Sequence, residues 1–257
     1  MGRRIKIMPC LDMQNGRVVK GVHFVDIRDA GDPVKSAQGY CEQGADELAL
    51  LDITATVEGR ATMIDVVRKV ADVTTIPFTV GGGIKDPASA CEALNAGADK
   101  ISMSSAAFRH PEYIEETVKD FGAQKVTVAI DVDRNAEMPS GYEVYIDGGR
   151  TPTGKDAVEW AREAESRGAG CILPTSKATD GTKEGYDLDL IRKISEVVSV
   201  PVVASGGAGT MKHFYEAAEA GATILLAASV FHFGIIKIPE LKNYLHDKGL
   251  NVYLKEG

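Results

Sequence analysis

With 257 residues and a net charge of −8, and with 44% hydrophobic and 26% charged side chains, the chain can bury a large core without staples and lacks the basic balance of a nucleic-acid binder. Its four dispersed cysteines form no CxxC, and no two histidines stand at ligand spacing; the expectation is four buried thiols in a reducing compartment and no metal or other cofactor. The first seven residues lack a signal peptide's apolar stretch and no run approaches the roughly 18 apolar residues of a membrane span, so a cytoplasmic chain with no membrane partner is expected.

Short apolar runs alternate with longer amphipathic stretches from end to end. Strands are expected at 5–11, 47–52, 77–80, 100–103, 125–131, 171–175, 201–204 and 223–227. Most are rich in Val and Ile, as parallel strands covered on both sides should be. Helical patterns fall at 34–43, 62–72, 87–95, 113–120, 155–167, 187–197 and 211–219, and Gly44, Gly97, Gly168 and Gly221 follow four of them as terminators. Residues 12–32 and the stretch after Asp131 read as long loops, the second holding a hairpin at 141–149. Trp160 reads as a packing residue, and Pro174 is unusual inside a strand because it removes a ladder donor. Eight strand–helix units without a linker predict one (β/α)8 barrel domain over 1–257 in preference to an open doubly wound sheet.

The chain also repeats itself. Phe78-Thr-Val-Gly-Gly-Gly-Ile84 and Ala96-Gly-Ala-Asp-Lys-Ile-Ser102 return about 120 residues later as Val202-Val-Ala-Ser-Gly-Gly-Ala208 and Ala220-Gly-Ala-Thr-Ile-Leu-Leu226, a period far too long for a solenoid. Two half-barrels, approximately 1–122 and 123–257, each able to hold one anion, predict a small ligand with an anion at either end. Glycines at strand-to-helix turns, Gly81-Gly-Gly83 and Gly206-Gly-Ala-Gly209, let the backbone approach phosphate. Ser104, Ser105, Thr175, Ala228, Ser229 and the loop Asp180-Gly181-Thr-Lys183 stand beside them. Asp12 and Asp131 end corresponding strands of the two halves, so two carboxyls would flank the ligand's middle as acid and base. Lys20, between Gly16 and Gly21, reads as a cation on a loop over the mouth.

These residues resemble a known family. Pro9-Cys-Leu-Asp12, Gly16-Arg-Val-Val-Lys-Gly21, Leu51-Asp-Ile-Thr-Ala55, Thr79-Val-Gly-Gly-Gly-Ile84, Asp180-Gly-Thr-Lys183, Ala204-Ser-Gly-Gly-Ala208 and Ala227-Ala-Ser-Val-Phe-His-Phe233 are similar to the cyclase subunit of imidazole glycerol phosphate synthase, the HisF family, over essentially the whole chain. The resemblance implies a lyase of histidine biosynthesis that converts a bisphosphorylated ribulosyl aminoimidazole carboxamide (PRFAR) and ammonia to imidazole glycerol phosphate and an aminoimidazole carboxamide ribotide (AICAR). It implies a heterodimer with a glutaminase subunit of HisH type that delivers ammonia at the barrel floor. It assigns Asp12 and Asp131 as acid and base, Lys20 to the lid, Gly83 and Ser105 to one phosphate, and Asp180, Gly181, Gly207, Ala228 and Ser229 to the other. Lys6, Glu47, Lys100 and Cys171 would form the charged ring through which ammonia enters.

Several positions depart from the family pattern, which usually has Arg at Lys6, Glu at Cys171, Asn at Ser104 and Asp-Arg at Ala178-Thr179. Two other readings stay open on this sequence: the sister isomerase of the same pathway, and a repurposed barrel that binds phosphosugars without turnover.

Overall fold

A computed structural model describes residues 3–22, 25–53, 55 and 62–254, with the backbone alone for 20–22 and 25–30. At its centre run β1 (Lys6–Gln14), β2 (Leu48–Asp52), β3 (Phe78–Gly81), β4 (Lys100–Met103), β5 (Val126–Arg134), β6 (Cys171–Ser176), β7 (Val203–Ala204) and β8 (Ile224–Ala227). Parallel pairing follows chain order from β1 to β6, and β7 pairs with β8, which pairs with β1. Bridges Ile172–Val202 and Thr175–Ser205 join β6 to β7, so the sheet closes into the expected (β/α)8 barrel.

That last seam is sparse for a reason visible in the sequence. The Ile172 N–H donates to the Pro201 carbonyl, so alternate residues of β6 address β7, and Pro174 falls on that side with no N–H to give. Toward β5 the register is unbroken from Cys171 opposite Thr127 to Ser176 opposite Val132.

Around the barrel lie α1 (Pro33–Glu42), α2 (Ile64–Ala71), α3 (Pro87–Asn95), α4 (Glu112–Phe121), α5 (Ala157–Ser166), α6 (Leu188–Ser195), α7 (Met211–Glu219) and α8 (Ile238–Asp247). Asp32, Asp86, Asp156 and Asp187 cap α1, α3, α5 and α6 by accepting from first-turn N–H groups. Gly44, Gly97, Gly168 and Gly221 have positive φ, as expected of terminators; a Cβ at Gly97 would sit 2.5 Å from the Ala71 methyl carbon.

Strand periodicity divides the interior in two. Ile7, Leu11 and Met13 on β1 and Val126, Val128, Ile130 and Val132 on β5 face the helices in the main core. Trp160 packs there, edge-on to Phe108 at 5.3 Å, in the packing role expected of it. Met8, Cys10, Ala49, Cys171, Leu173, Val203, Ile224 and Leu226 form a separate cluster inside the barrel.

Three expectations need correction. The stretch 12–32 is not a loop: β1 runs on to Gln14, and strands Arg17–Val22 and Val25–Gly31 pair antiparallel, the first also with β1. The missed signal is Asn15-Gly16, with φ of 50° and 75°, because Asn-Gly is the preferred two-residue hairpin turn. After β5, Tyr142–Ile146 pairs with both β5 and Thr151–Asp156, so Lys155 lies in a strand and α5 begins at Ala157. Cys10 and Cys171 are buried, but Cys41 and Cys91 are only half-buried because they sit on α1 and α3 facing away from the core.

Candidate active site at the barrel mouth

One cavity of about 760 Å³ lies at the C-terminal ends of the strands. It is bordered by Asp12 and Asp131, by Gly83, Ser104 and Ser105 on one side, and by Thr175, Asp180, Gly181, Gly206, Gly207, Ala228 and Ser229 on the other. Every mouth residue named from the sequence except Lys20 therefore meets in a single space. The Lys20 backbone lies in the strand Arg17–Val22, opposite Arg28, and its side chain falls outside the described residues.

The two carboxylates reach the mouth through the period of their strands. Lys6, Met8, Cys10 and Asp12 alternate inward along β1, as Thr127, Ala129 and Asp131 do along β5. Asp12 accepts a hydrogen bond from the Cys10 thiol at 3.1 Å. Burial pushes the Asp131 carboxyl up to about 6; Asp180 adds to the rise and Lys177 opposes it.

The glycine turns match. Gly82 and Gly83 have φ of 79° and 75°, and Gly206 and Gly207 have 83° and 102°. A Cβ on Gly82 would lie 2.0 Å from the Asp52 carbonyl oxygen, and one on Gly207 would lie 2.1 Å from that of Gly185. These positions leave no room for a side chain, so the backbone itself forms the cavity wall. Ser105 and Ser229 open the short helices Ser105–Arg109 and Ser229–His232 beside the turns. Thr179 ties the β6 loop to the β7 turn by donating to the Gly206 carbonyl at 3.3 Å.

At the opposite end, Glu47 is 1% exposed and takes Lys6 on one oxygen at 2.6 Å and Lys100 on the other at 2.7 Å. Cys171 is buried beside them, and desolvation pushes its thiol up to about 12, so it stays neutral although Lys100, Thr127 and Lys6 favour the thiolate. All four floor residues named from the sequence thus gather at the strand starts. A small void of about 10 Å³ there is bordered by Glu47, Lys100, Cys171 and Thr79, and Leu173 borders both it and the mouth cavity.

Sequence reasoning missed three groups at the mouth. Lys177 stands two residues past Thr175, so the period of β6 carries it inward; a lysine in a loop otherwise reads as solvated. Arg109 pairs with Asp147 at 2.8 Å, and the Asp147 N–H donates to the Ser105 hydroxyl, which ties the β5 hairpin to the neighbouring rim. No local pattern announces that contact between elements distant in sequence.

A closed parallel barrel that gathers paired carboxylates and two matched glycine turns at its C-terminal face has the organisation of a (β/α)8-barrel enzyme. A family model described as "Histidine biosynthesis protein" matches residues 6–237. The chain is 54% identical over 250 residues to the imidazole glycerol phosphate synthase subunit HisF of Clostridium botulinum (strain Okra / Type B1), covering 97% of this chain and 98% of that relative. It is 53% identical over 247 residues to the HisF subunit of Exiguobacterium sibiricum, covering 96% and 98%. The chain belongs to the HisF family.

Proposed function

We propose that this chain is the cyclase subunit of an imidazole glycerol phosphate synthase, converting PRFAR and ammonia to imidazole glycerol phosphate and AICAR. Kinship with HisF supports the reaction, and the observation that carries the site is one cavity holding both aspartates between both glycine turns. A bisphosphate laid across it has a phosphate at each turn and its reacting middle at Asp12 and Asp131. Backbone N–H groups and the Ser105 and Ser229 hydroxyls are the donors for those phosphates.

Ring closure with cleavage needs one group to deliver a proton to the departing atom and another to remove one from the incoming nitrogen. Asp131, lifted to about 6, retains a usable protonated fraction near neutrality and takes the acid role; Asp12 takes the base role. Ammonia must arrive neutral, because ammonium has no lone pair. The ring of Lys6, Glu47, Lys100 and Cys171 is the entry, and a glutaminase subunit docked on that floor is the source.

Among the described residues no helix is long and apolar enough to cross a membrane.

Turnover of PRFAR with ammonium salts is the test. Product formation is expected in the isolated chain, and Asp12→Asn and Asp131→Asn should each abolish it while phosphate affinity persists. Turnover of the sister isomerase's bisphosphate instead, or full activity in both variants, would overturn the reading.

A further inference from the structure

We propose that Lys177 is a positioning residue of this acid–base site: a cation fixed over Tyr145 and beside Asp133 that counters Asp180 at the Asp131 carboxyl. The inference rests on the acid–base reading of Asp131.

Four contacts fix this side chain. Its backbone N–H donates to the Val132 carbonyl at 2.9 Å, which extends the β5–β6 register past Ser176 and sets the lysine on the mouth side. Its stem passes over Gly149, where a Cβ would stand 3.3 Å from the Lys177 Cδ, so the glycine leaves the stem space to lie flat. The Nζ lies 3.7 Å from the centroid of the Tyr145 ring and 3.2 Å from Asp133 Oδ2. Tyr145 is the register partner of Asp131 across the hairpin, so the ring that carries the ammonium shares the carboxyl's face.

The charge environment gives this cation its effect. Asp180 and Lys177 act on Asp131 from the β6 side with opposite signs. The other acids on the neighbouring elements are engaged: Asp133 with Lys177 itself, Asp147 with Arg109, and Glu143 with Asn135 and the Gly154 N–H. Asp12 and Cys10 stand on β1, bonded to each other. Arg109, His110, Arg150 and Lys183 border the mouth but are exposed, where water screens them. Lys177 is only 30% exposed and is held by an aromatic face as well as a carboxylate, so it keeps its place and its field. It keeps burial and Asp180 together from raising the Asp131 carboxyl further, so that the acid gives up and regains its proton closer to its present midpoint.

The test is the titration of the Asp131 carboxyl, followed by carbon NMR in the full chain. Lys177→Met should raise its midpoint by roughly one pH unit, Lys177→Gln should do the same, and Lys177→Arg should leave it near the parent value. The alkaline limb of kcat should move upward with it in the Met and Gln variants. An unchanged midpoint in a folded Lys177→Met or Lys177→Gln protein overturns the proposal. So does an equal shift in Lys177→Arg, which would point to packing and not charge. Turnover that survives Asp131→Asn would sink the acid–base reading and leave the titration result standing on its own.

Discussion

Asp131 works against the fold that holds it. Its carboxyl is raised from 3.8 to about 6, first by burial and then by Asp180, so the ionised form is less favourable in the native protein than in the unfolded chain. Because the folded value lies above the unfolded one, this group's contribution to stability is most favourable below about pH 4, falls as pH rises toward 6, and stays reduced above that. Each pH unit corresponds to about 1.4 kcal/mol, and Asp131 still touches the water-accessible mouth, so the penalty at pH 8 is of order 2 kcal/mol. Asp131→Asn removes the charge and keeps the shape. Urea unfolding should show a gain of about 2 kcal/mol at pH 8 and almost none at pH 3.5; equal gains at both pH values would mean that the carboxyl is not strained by its setting. Both aspartates were legible in the sequence because each sits in an apolar alternating run at the same point of a repeat. Lys177 was not, since its direction depends on strand period continuing beyond the apolar residues that mark the strand.

The elements that shape the mouth are the antiparallel flaps that follow β1 and β5. The second, tied to the rim through Asp147, is also moored to the barrel wall through Tyr142. Tyr142 is 1% exposed and donates its hydroxyl to Asp187 Oδ1 at 2.7 Å, with Asp189 Oδ2 at 3.1 Å. Asp187 also caps α6 and accepts from the Ser176 hydroxyl at the end of β6, while Arg134 at the end of β5 pairs with it at 3.3 Å. One buried carboxylate therefore holds β5, β6, α6 and the hairpin together, and its donors surround it. Removing the phenol hydroxyl leaves Asp187 short of a buried donor, which costs about 1–3 kcal/mol. Tyr142→Phe should lower stability by that amount and speed amide hydrogen exchange across the hairpin Tyr142–Ile146 and Thr151–Asp156, with exchange in β1 following only the global loss. Uniform acceleration throughout the chain would show that the hairpin has no separate mooring. The alternating run 142–146 announced this strand, but its partners lay in the polar stretch Thr151–Asp156, where composition gives no strand signal and cross-strand pairing decides. The flap after β1 is announced by the Asn15-Gly16 turn alone, since its strands carry no sustained apolar alternation.

Across the whole molecule, the period of two that aims Asp12 at the mouth also aims Lys6 at the floor of the same strand, with Met8 and Cys10 between them. The barrel is thus a polar ring, an apolar sleeve and a polar mouth, and a neutral molecule crosses the sleeve more readily than a charged one. The two halves repeat the mouth, Gly82–Gly83 answering Gly206–Gly207 and Ser105 answering Ser229 at one offset, but they do not repeat the floor. There, among the described residues, Glu47 alone pairs with Lys6 and Lys100, with neutral Cys171 completing the ring. This asymmetry makes Glu47 the point at which the ring fails. Glu47→Gln keeps the volume but leaves two ammonium groups side by side with no anion, and Lys6, already 39% exposed, is free to turn toward solvent. An opened floor affects only ammonia that enters through it, because ammonium salts added in bulk reach the mouth directly. With the proposed glutaminase partner and glutamine as nitrogen source, AICAR formed per glutamate released should fall roughly tenfold, equivalent to about 1.4 kcal/mol of lost coupling. Turnover with ammonium salts should change little in the same preparation. If both rates fell together, Glu47 would be acting through the stability of the barrel or the shape of the mouth, and the floor would lose its claim as the route of entry.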